Sequence, residues 1–273
     1  MHVAALQMRS TTDPAVNVET FETLVRDAAS SGATYVQSPE MTGVVQRSPK
    51  KLHEVVQPQG LDPLFKCASK LAGELGIWVH VGSTPIKIDD DKIANRAGIF
   101  APDGTLATTY DKIHMFDVDL ENGESWRESA IYTPGEELGF TQVNDENFGI
   151  SICYDLRFGH LYRDQALTGA SILTVPAAFT KQTGERHWHV LLRARAIENG
   201  AFVIAAAQGG THEDGRETYG HSLIIAPTGE ILAEKNDDEP GVIDAVLDLD
   251  AVKTARERIP NLKNARTYVG APV

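Results

Sequence analysis

Short apolar stretches alternate with helix-period stretches along almost the whole chain, and this alternation restricts it to folds in which helices cover β-sheets. Val3 to Met8 reads as a strand. Thr12-Asp13-Pro14 then starts a helix, with Val18, Phe21, Leu24, Val25 and Ala28 at helical spacing up to Gly32. Thr34 to Gln37 is the next strand, Pro63 to Leu75 a helix stopped by Gly76, and Ile77 to Gly82 another strand. Pro102-Asp103-Gly104 turns between two strands, and Pro227-Thr228-Gly229 repeats that signal in the second half. Between them come a long loop from Asp111 to Gly139 and a strand from Phe148 to Ile152. Beyond Cys153 the pattern predicts a helix over His160–Thr168, a strand over Ser171–Val175, a helix over Gly184–Asn199 and a strand over Ala201–Ala207. A last strand, Val242 to Leu247, and a last helix, Leu249 to Arg258, follow. The echoed halves predict a layered sandwich of mixed sheets inside helices. No Pro-, Gly- or Ser-rich linker divides them, so residues 1–273 are expected to form one domain. The tail from Ile259 to Val273 has no core periodicity and is free to pack on a partner subunit.

The formal net charge is −13, and no dense basic run offsets it. Such a surface repels phosphate backbones, which argues against a nucleic-acid partner. No apolar run approaches the ~20 residues of a membrane-spanning helix, so no membrane partner is expected. Met1 to Arg9 reads as a strand rather than a leader, and two cysteines cannot make a disulfide framework. Both point to a reducing, cytoplasmic setting.

Cys153 closes the strand in Gly149-Ile150-Ser151-Ile152-Cys153-Tyr154-Asp155-Leu156-Arg157. A thiol at a strand end stands at the rim of a sheet, where following backbone N–H groups can receive an oxyanion. A lone cysteine is more often simply buried, and Cys67, inside a helical pattern, fits that description. None of the nine histidines stands in a cysteine-protease surround, and no His-Glu-x-x-His or Cys-x-x-Cys spacing suggests zinc. Glu40 and Lys112 follow two other strands and could meet Cys153 in one pocket, as base and as oxyanion partner. Taken singly, each reads as a solvated surface charge.

The three segments together resemble the nitrilase superfamily of carbon–nitrogen hydrolases, from Val3-Ala4-Ala5-Leu6-Gln7-Met8 to Arg266-Thr267-Tyr268. Tyr110-Asp111-Lys112-Ile113-His114-Met115-Phe116-Asp117 and the segment around Cys153 carry the resemblance most specifically. It implies an α/β, four-layer α-β-β-α sandwich and a cysteine amidase. By the same resemblance Cys153 forms a thioester, Glu40 is the base, and Lys112 with the Tyr154 backbone N–H holds the oxyanion. A second glutamate is expected in the loop: Glu128, in Trp126-Arg127-Glu128-Ser129, is preferred to Glu121. No cofactor or metal is implied, and a homodimer or higher homo-oligomer is.

Thr183-Gly184-Glu185-Arg186-His187-Trp188, Leu191 to Glu198 and Tyr219-Gly220-His221-Ser222 are similar to the branch of ω-amidase and deaminated glutathione amidase, leaning to the latter. A carboxylated amide substrate calls for a cation, for which Arg157 is the candidate, with His187 and Trp188 lining or buttressing the pocket. Three departures lie near the site: Gln37-Ser38, Asp111 and Gly159-His160. The readings left open are an ω-amidase on 2-oxoglutaramate, a nitrilase or carbamoyl-amide hydrolase, and an inactive scaffold of the same fold.

Overall fold

The computed structural model describes residues 1–270 apart from Asn122 and Glu124. The first half comprises β1 (His2–Gln7), α1 (Pro14–Ser30), β2 (Tyr35–Gln37), α2 (Pro49–Val55), α3 (Pro63–Leu75), β3 (Trp78–Lys87), β4 (Ile93–Phe100) and β5 (Leu106–Asp111). Local signals set these bounds. Asp62 accepts from the Phe65 N–H at 2.9 Å to open α3, and Gly76 closes it in the left-handed region that glycine adopts without strain. A small hairpin, β6 (Asp117–Asp119) and β7 (Ser125–Arg127), interrupts the long loop. The second half comprises β8 (Phe140–Val143), β9 (Glu146–Ile150), α4 (Gly159–Leu167), β10 (Ile172–Thr174), α5 (Lys181–Asn199) and β11 (Phe202–Ala205). It continues with β12 (Gly209–Thr211), β13 (Glu217–Tyr219), β14 (Leu223–Ile225), β15 (Ile231–Glu234), β16 (Gly241–Val246) and α6 (Asp250–Arg258).

Two six-stranded mixed sheets result, in the orders β16-β1-β2-β3-β4-β5 and β15-β14-β11-β10-β9-β8. Strand alternation assigns their faces. Val3, Ala5 and Tyr35 point inward, into one core with Phe148, Ile150, Ile172 and Leu173 of the second sheet. Ala4, Leu6, Val36 and Val79 point outward and pack on Phe21 and Val25 of α1 and Leu64 and Leu71 of α3. Trp188, Leu192 and Ala196 of α5 cover the second sheet. The chain is therefore an α/β, four-layer α-β-β-α sandwich.

The strand before Cys153 runs over Glu146–Ile150, two residues earlier than the expected Phe148–Ile152, because β8 and β9 form a hairpin turning at Asn144, φ 54°. The helix expected from Gly184 begins at Lys181. α2, β8 and the pair β12–β13 were not anticipated. In α2 only Leu52 is buried, so no apolar period marks it. Beyond α6, Arg163 still holds the Asn261 carbonyl at 3.2 Å, after which Lys263 to Gly270 are exposed. The last three residues of the expected tail, 271–273, lie outside the described residues. Among the described residues, no helix is long and apolar enough to cross a membrane.

Polar side chains lie between the sheets at the ends nearest the catalytic candidates. Gln37 accepts from the Ala206 N–H at 3.2 Å and Ser38 from the Gly82 N–H at 3.1 Å, which accounts for the unusual Gln-Ser pair. His80 is fully buried, with Nδ1 2.7 Å from the Tyr35 hydroxyl, and burial depresses its pKa to about 3. The folded state thus binds fewer protons than the unfolded one between the ordinary value of 6.5 and about 3. Stability from this residue is complete above pH 6.5 and is lost as pH falls through that window, by on the order of 4 kcal/mol. Urea midpoints measured against pH should fall more steeply below 6.5 for wild type than for His80→Gln. Parallel curves would mean that His80 does not carry the acid sensitivity.

Candidate active site

Three loops leaving strands at the same end of the two sheets deliver the candidate groups. Glu40 follows β2, Lys112 follows β5, and Cys153 follows β9. The Glu40 carbonyl accepts from Gln208 Nε2 at 3.0 Å, and the Lys112 N–H donates to the Asn95 carbonyl at 3.0 Å. Cys153 takes a left-handed backbone, φ 47°, where the chain leaves β9 for a 3-10 turn, Cys153–Arg157. A side chain in that region costs of order 1–3 kcal/mol and persists only where its surroundings hold it. The Cys153 N–H donates to the Pro176 carbonyl at 2.9 Å. Buried Asp155 accepts from the Ile152 N–H and the Tyr110 hydroxyl, each at 2.8 Å, and from the His114 N–H at 3.1 Å. One carboxylate therefore ties the cysteine turn to the loop carrying Lys112.

Lys112 Nζ donates to Glu40 Oε1 at 2.9 Å and to Glu128 Oε1 and Oε2 at 2.9 and 2.8 Å. Asn95 Nδ2 donates to the same two carboxylates at 2.9 and 3.2 Å. The Ala178 N–H reaches Glu40 Oε2 at 2.8 Å, and the Phe116 N–H reaches Glu128 Oε2 at 2.6 Å. Burial opposes ionisation of Glu40, but the Lys112 ammonium and hydrogen bonds from Cys153, Lys112 and Ala178 outweigh it and hold the pKa below the usual carboxylate value. Burial likewise opposes the charge on Lys112, yet Glu128 and Glu40 hold its pKa well above normal. The Cys153 thiol is pushed well up by burial and by the negative Glu40 beside it. The resting site is therefore a neutral thiol beside an ionised carboxylate, with an ammonium alongside, an arrangement in which the carboxylate could take the thiol proton.

A cavity of about 240 Å³ opens over this cluster, lined by Glu40, Lys112, Glu128, Cys153 and Tyr154 among others. Arg157, the expected carboxylate partner, stands against two rings of the cavity wall. The cavity lining among the described residues does not include Arg157, His187 or Trp188. The Arg157 guanidinium lies over the rings of Tyr154 and Phe179, 5.9 and 5.0 Å from their centres, with NH1 3.2 Å from His187 Nδ1. His187 is on the exposed face of α5. Trp188, fully buried, donates to the His221 carbonyl at 2.8 Å and packs on Phe179, so it buttresses the wall from behind. The arginines that line the cavity are Arg47, Arg127 and Arg216. Arg47 and Arg216 both lie over Trp126, at 4.5 and 4.6 Å from its ring centre. Sequence reasoning passed over them because neither adjoins a strand that looks catalytic. Arg216 sits just before β13, which has no apolar period. Asn95 was missed for a similar reason: it is a buried strand residue whose partners come from two other segments.

Of the two loop glutamates, Glu128 meets Lys112, whereas Glu121 is at the surface, 3.3 Å from Arg186. Glu128→Gln is expected to lower kcat by on the order of 100-fold or more, because it removes one of the two charges holding Lys112. Glu121→Gln should leave kcat within about twofold. The reverse ranking would exchange their roles. Asp111 makes a bidentate pair with Arg96 at 2.6 and 2.7 Å, outside the cavity lining.

Residues 2–257 match the carbon–nitrogen hydrolase family. A deaminated glutathione amidase of Yersinia enterocolitica is 37% identical over 268 residues, 97% of this chain and 93% of that protein. The NitFhit protein of C. elegans superposes with a TM-score of 0.90 at 31% identity, over 97% of this chain and 65% of that one. Nit3 of Saccharomyces cerevisiae, a member of branch 10 of the nitrilase superfamily, does so with a TM-score of 0.85 at 28% identity, over 95% and 94%.

Proposed function

Because the chain belongs to the carbon–nitrogen hydrolase family, we propose that it hydrolyses the C–N bond of a small carboxylated amide through a thioester on Cys153, with deaminated glutathione as the preferred substrate. The observation that carries this reading is the buried cluster of Glu40, Lys112, Glu128 and Cys153 facing one cavity. As the thiol attacks the amide carbonyl, its proton passes to Glu40, the group it already meets. Lys112 and the backbone N–H of Tyr154 receive the charge that builds on the carbonyl oxygen. The C–N bond breaks as Glu40 returns the proton to the departing amine. Water then attacks the thioester, Glu40 takes its proton, and the thiol is released. Glu128 keeps Lys112 charged and aimed throughout. It positions the ammonium rather than exchanging protons.

Arg47 and Arg216 supply the positive charge that a carboxylated substrate requires, whereas Arg127 is paired with Asp119. The similarity to a deaminated glutathione amidase directs the choice among such substrates. Amine or ammonia release should be followed with deaminated glutathione, 2-oxoglutaramate, a simple aliphatic amide and an aliphatic nitrile. The highest kcat/KM is expected with deaminated glutathione. Turnover confined to the nitrile or the simple amide would discard that substrate. Arg216→Ala should raise KM for the carboxylated substrates by roughly 10- to 100-fold, the worth of a hydrogen bond to a charged group, with kcat little changed. An unchanged KM would move recognition elsewhere.

We place the chain further as a single domain acting as a homodimer in the cytoplasm. Exposed Val246, Tyr268 and Val269 offer apolar surface for a second copy, and two unpaired cysteines suit a reducing compartment.

A further inference from the structure

Three side chains that the amidase chemistry leaves unused meet at the edge of the second sheet. His189 comes from α5, Glu234 ends the edge strand β15, and His221 lies in the turn between β13 and β14. His189 Nε2 is 2.8 Å from Glu234 Oε1, and His221 Nδ1 is 3.5 Å from the same oxygen. All three ligand-type atoms lie within 4.8 Å of one another. His221 is held firmly. Its backbone is left-handed, φ 55°, its carbonyl accepts from the Trp188 indole at 2.8 Å, and its ring stacks on Tyr219 at 4.3 Å. Its buried Nδ1 makes no hydrogen bond, although Glu234 Oε1 stands 3.5 Å away.

We infer that His189, His221 and Glu234 form a binding site for a divalent transition-metal ion of the zinc class. Zinc–nitrogen and zinc–oxygen bonds of ~2.0–2.2 Å place tetrahedral ligand atoms about 3.3 Å apart. Two of the three separations, 2.8 and 3.5 Å, bracket that spacing, and the third, between the imidazole nitrogens, is within 4.8 Å, so side-chain rotation must draw the three atoms around the ion. Two imidazoles and one carboxylate favour zinc, cobalt or nickel over the all-oxygen preference of magnesium or calcium. The side chains are about a quarter exposed, which leaves a position for water. The sequence held no metal signature because the ligands stand on three separate elements, and only the fold collects them. His187, two residues before His189, faces elsewhere and pairs with Arg157. A bound ion would cross-link α5, β15 and the β13–β14 turn. β13 also borders the cavity, since Thr218 bridges to Thr180 and Arg216 lines the wall.

The test is a cobalt titration of metal-stripped, full-length protein near neutral pH, in wild type and in Cys153→Ala, which removes the competing thiol. The expected result is one ion per chain in both proteins, with visible bands of nitrogen–oxygen coordination and no thiolate charge-transfer band. His189→Ala, Glu234→Gln and His221→Asn should each weaken binding at least about tenfold. The asparagine tolerates the left-handed backbone, and melting in EDTA confirms that each variant folds. Zinc should raise the melting temperature of Cys153→Ala but not of Cys153→Ala carrying Glu234→Gln. Absence of binding, binding that disappears with Cys153→Ala, or equal binding by all three ligand variants would overturn the site.

Discussion

Cys153→Ala is expected to stop turnover, by on the order of 10⁴-fold or more, while the protein stays folded. The two halves of this result have separate causes. Catalysis ends because the proposed covalent step has no other acceptor: Cys67 is buried on α3, and burial pushes its thiol pKa up to about 11. Folding persists because alanine removes one sulfur from a residue that faces the cavity, and the turn is held by backbone and Asp155 contacts that do not involve Sγ. Steady-state amine release and a thermal melt measure the two parts. A variant that kept a substantial fraction of the wild-type rate would end the nucleophile assignment. Loss of both rate and fold would be resolved by trapping the thioester in wild type by rapid quench and mass spectrometry.

Lys112→Met should remove activity and also destabilise the protein by about 3–5 kcal/mol near pH 7.5. Methionine matches the length of lysine but carries no charge, so packing is largely kept. What remains is a pair of carboxylates, Glu40 and Glu128, that shared one ammonium and now face each other with uncharged donors, Asn95, Ala178, Phe116 and the Cys153 thiol. The pH dependence gives the sign. In wild type the lowered Glu40 pKa contributes stability above the ordinary carboxylate range, lost as pH falls through it. In the variant, repulsion makes the pair take up a proton on folding, so its deficit shrinks as pH falls toward 5. Urea unfolding of both proteins at pH 7.5 and pH 5 measures this. Equal stability at pH 7.5 would show that the Lys112 charge is not what holds the two carboxylates together.

How far such a site can be read from sequence varies with how local its signals are. α3 was legible to the residue, since Asp62-Pro63 and Gly76 act within one helical turn of its ends. Glu40, Lys112 and Cys153 could be nominated because each stands within three residues of a strand's C-terminal end. The resemblance then grouped them and singled out Glu128, whose bond to Lys112 depends on how the β6–β7 arm folds back.

Arg157 shows the limit. Its place four residues after Cys153 suggested a substrate contact, and what the fold adds is that its guanidinium lies over Tyr154 and Phe179, two rings of the cavity wall. Two of the arginines on the cavity wall, Arg47 and Arg216, come from segments with neither apolar period nor motif, and they meet on Trp126 only when the fold brings two distant loops together. By itself the amino-acid sequence determined most of the elements and their layering, and it nominated Glu40, Lys112 and Cys153, because caps, turns and apolar periods act over a few residues. Only the tertiary structure decided the charge state of Cys153, the positive lining of the cavity and the meeting of His189, His221 and Glu234. Those depend on burial and on distances between segments far apart in the chain, which no local pattern encodes.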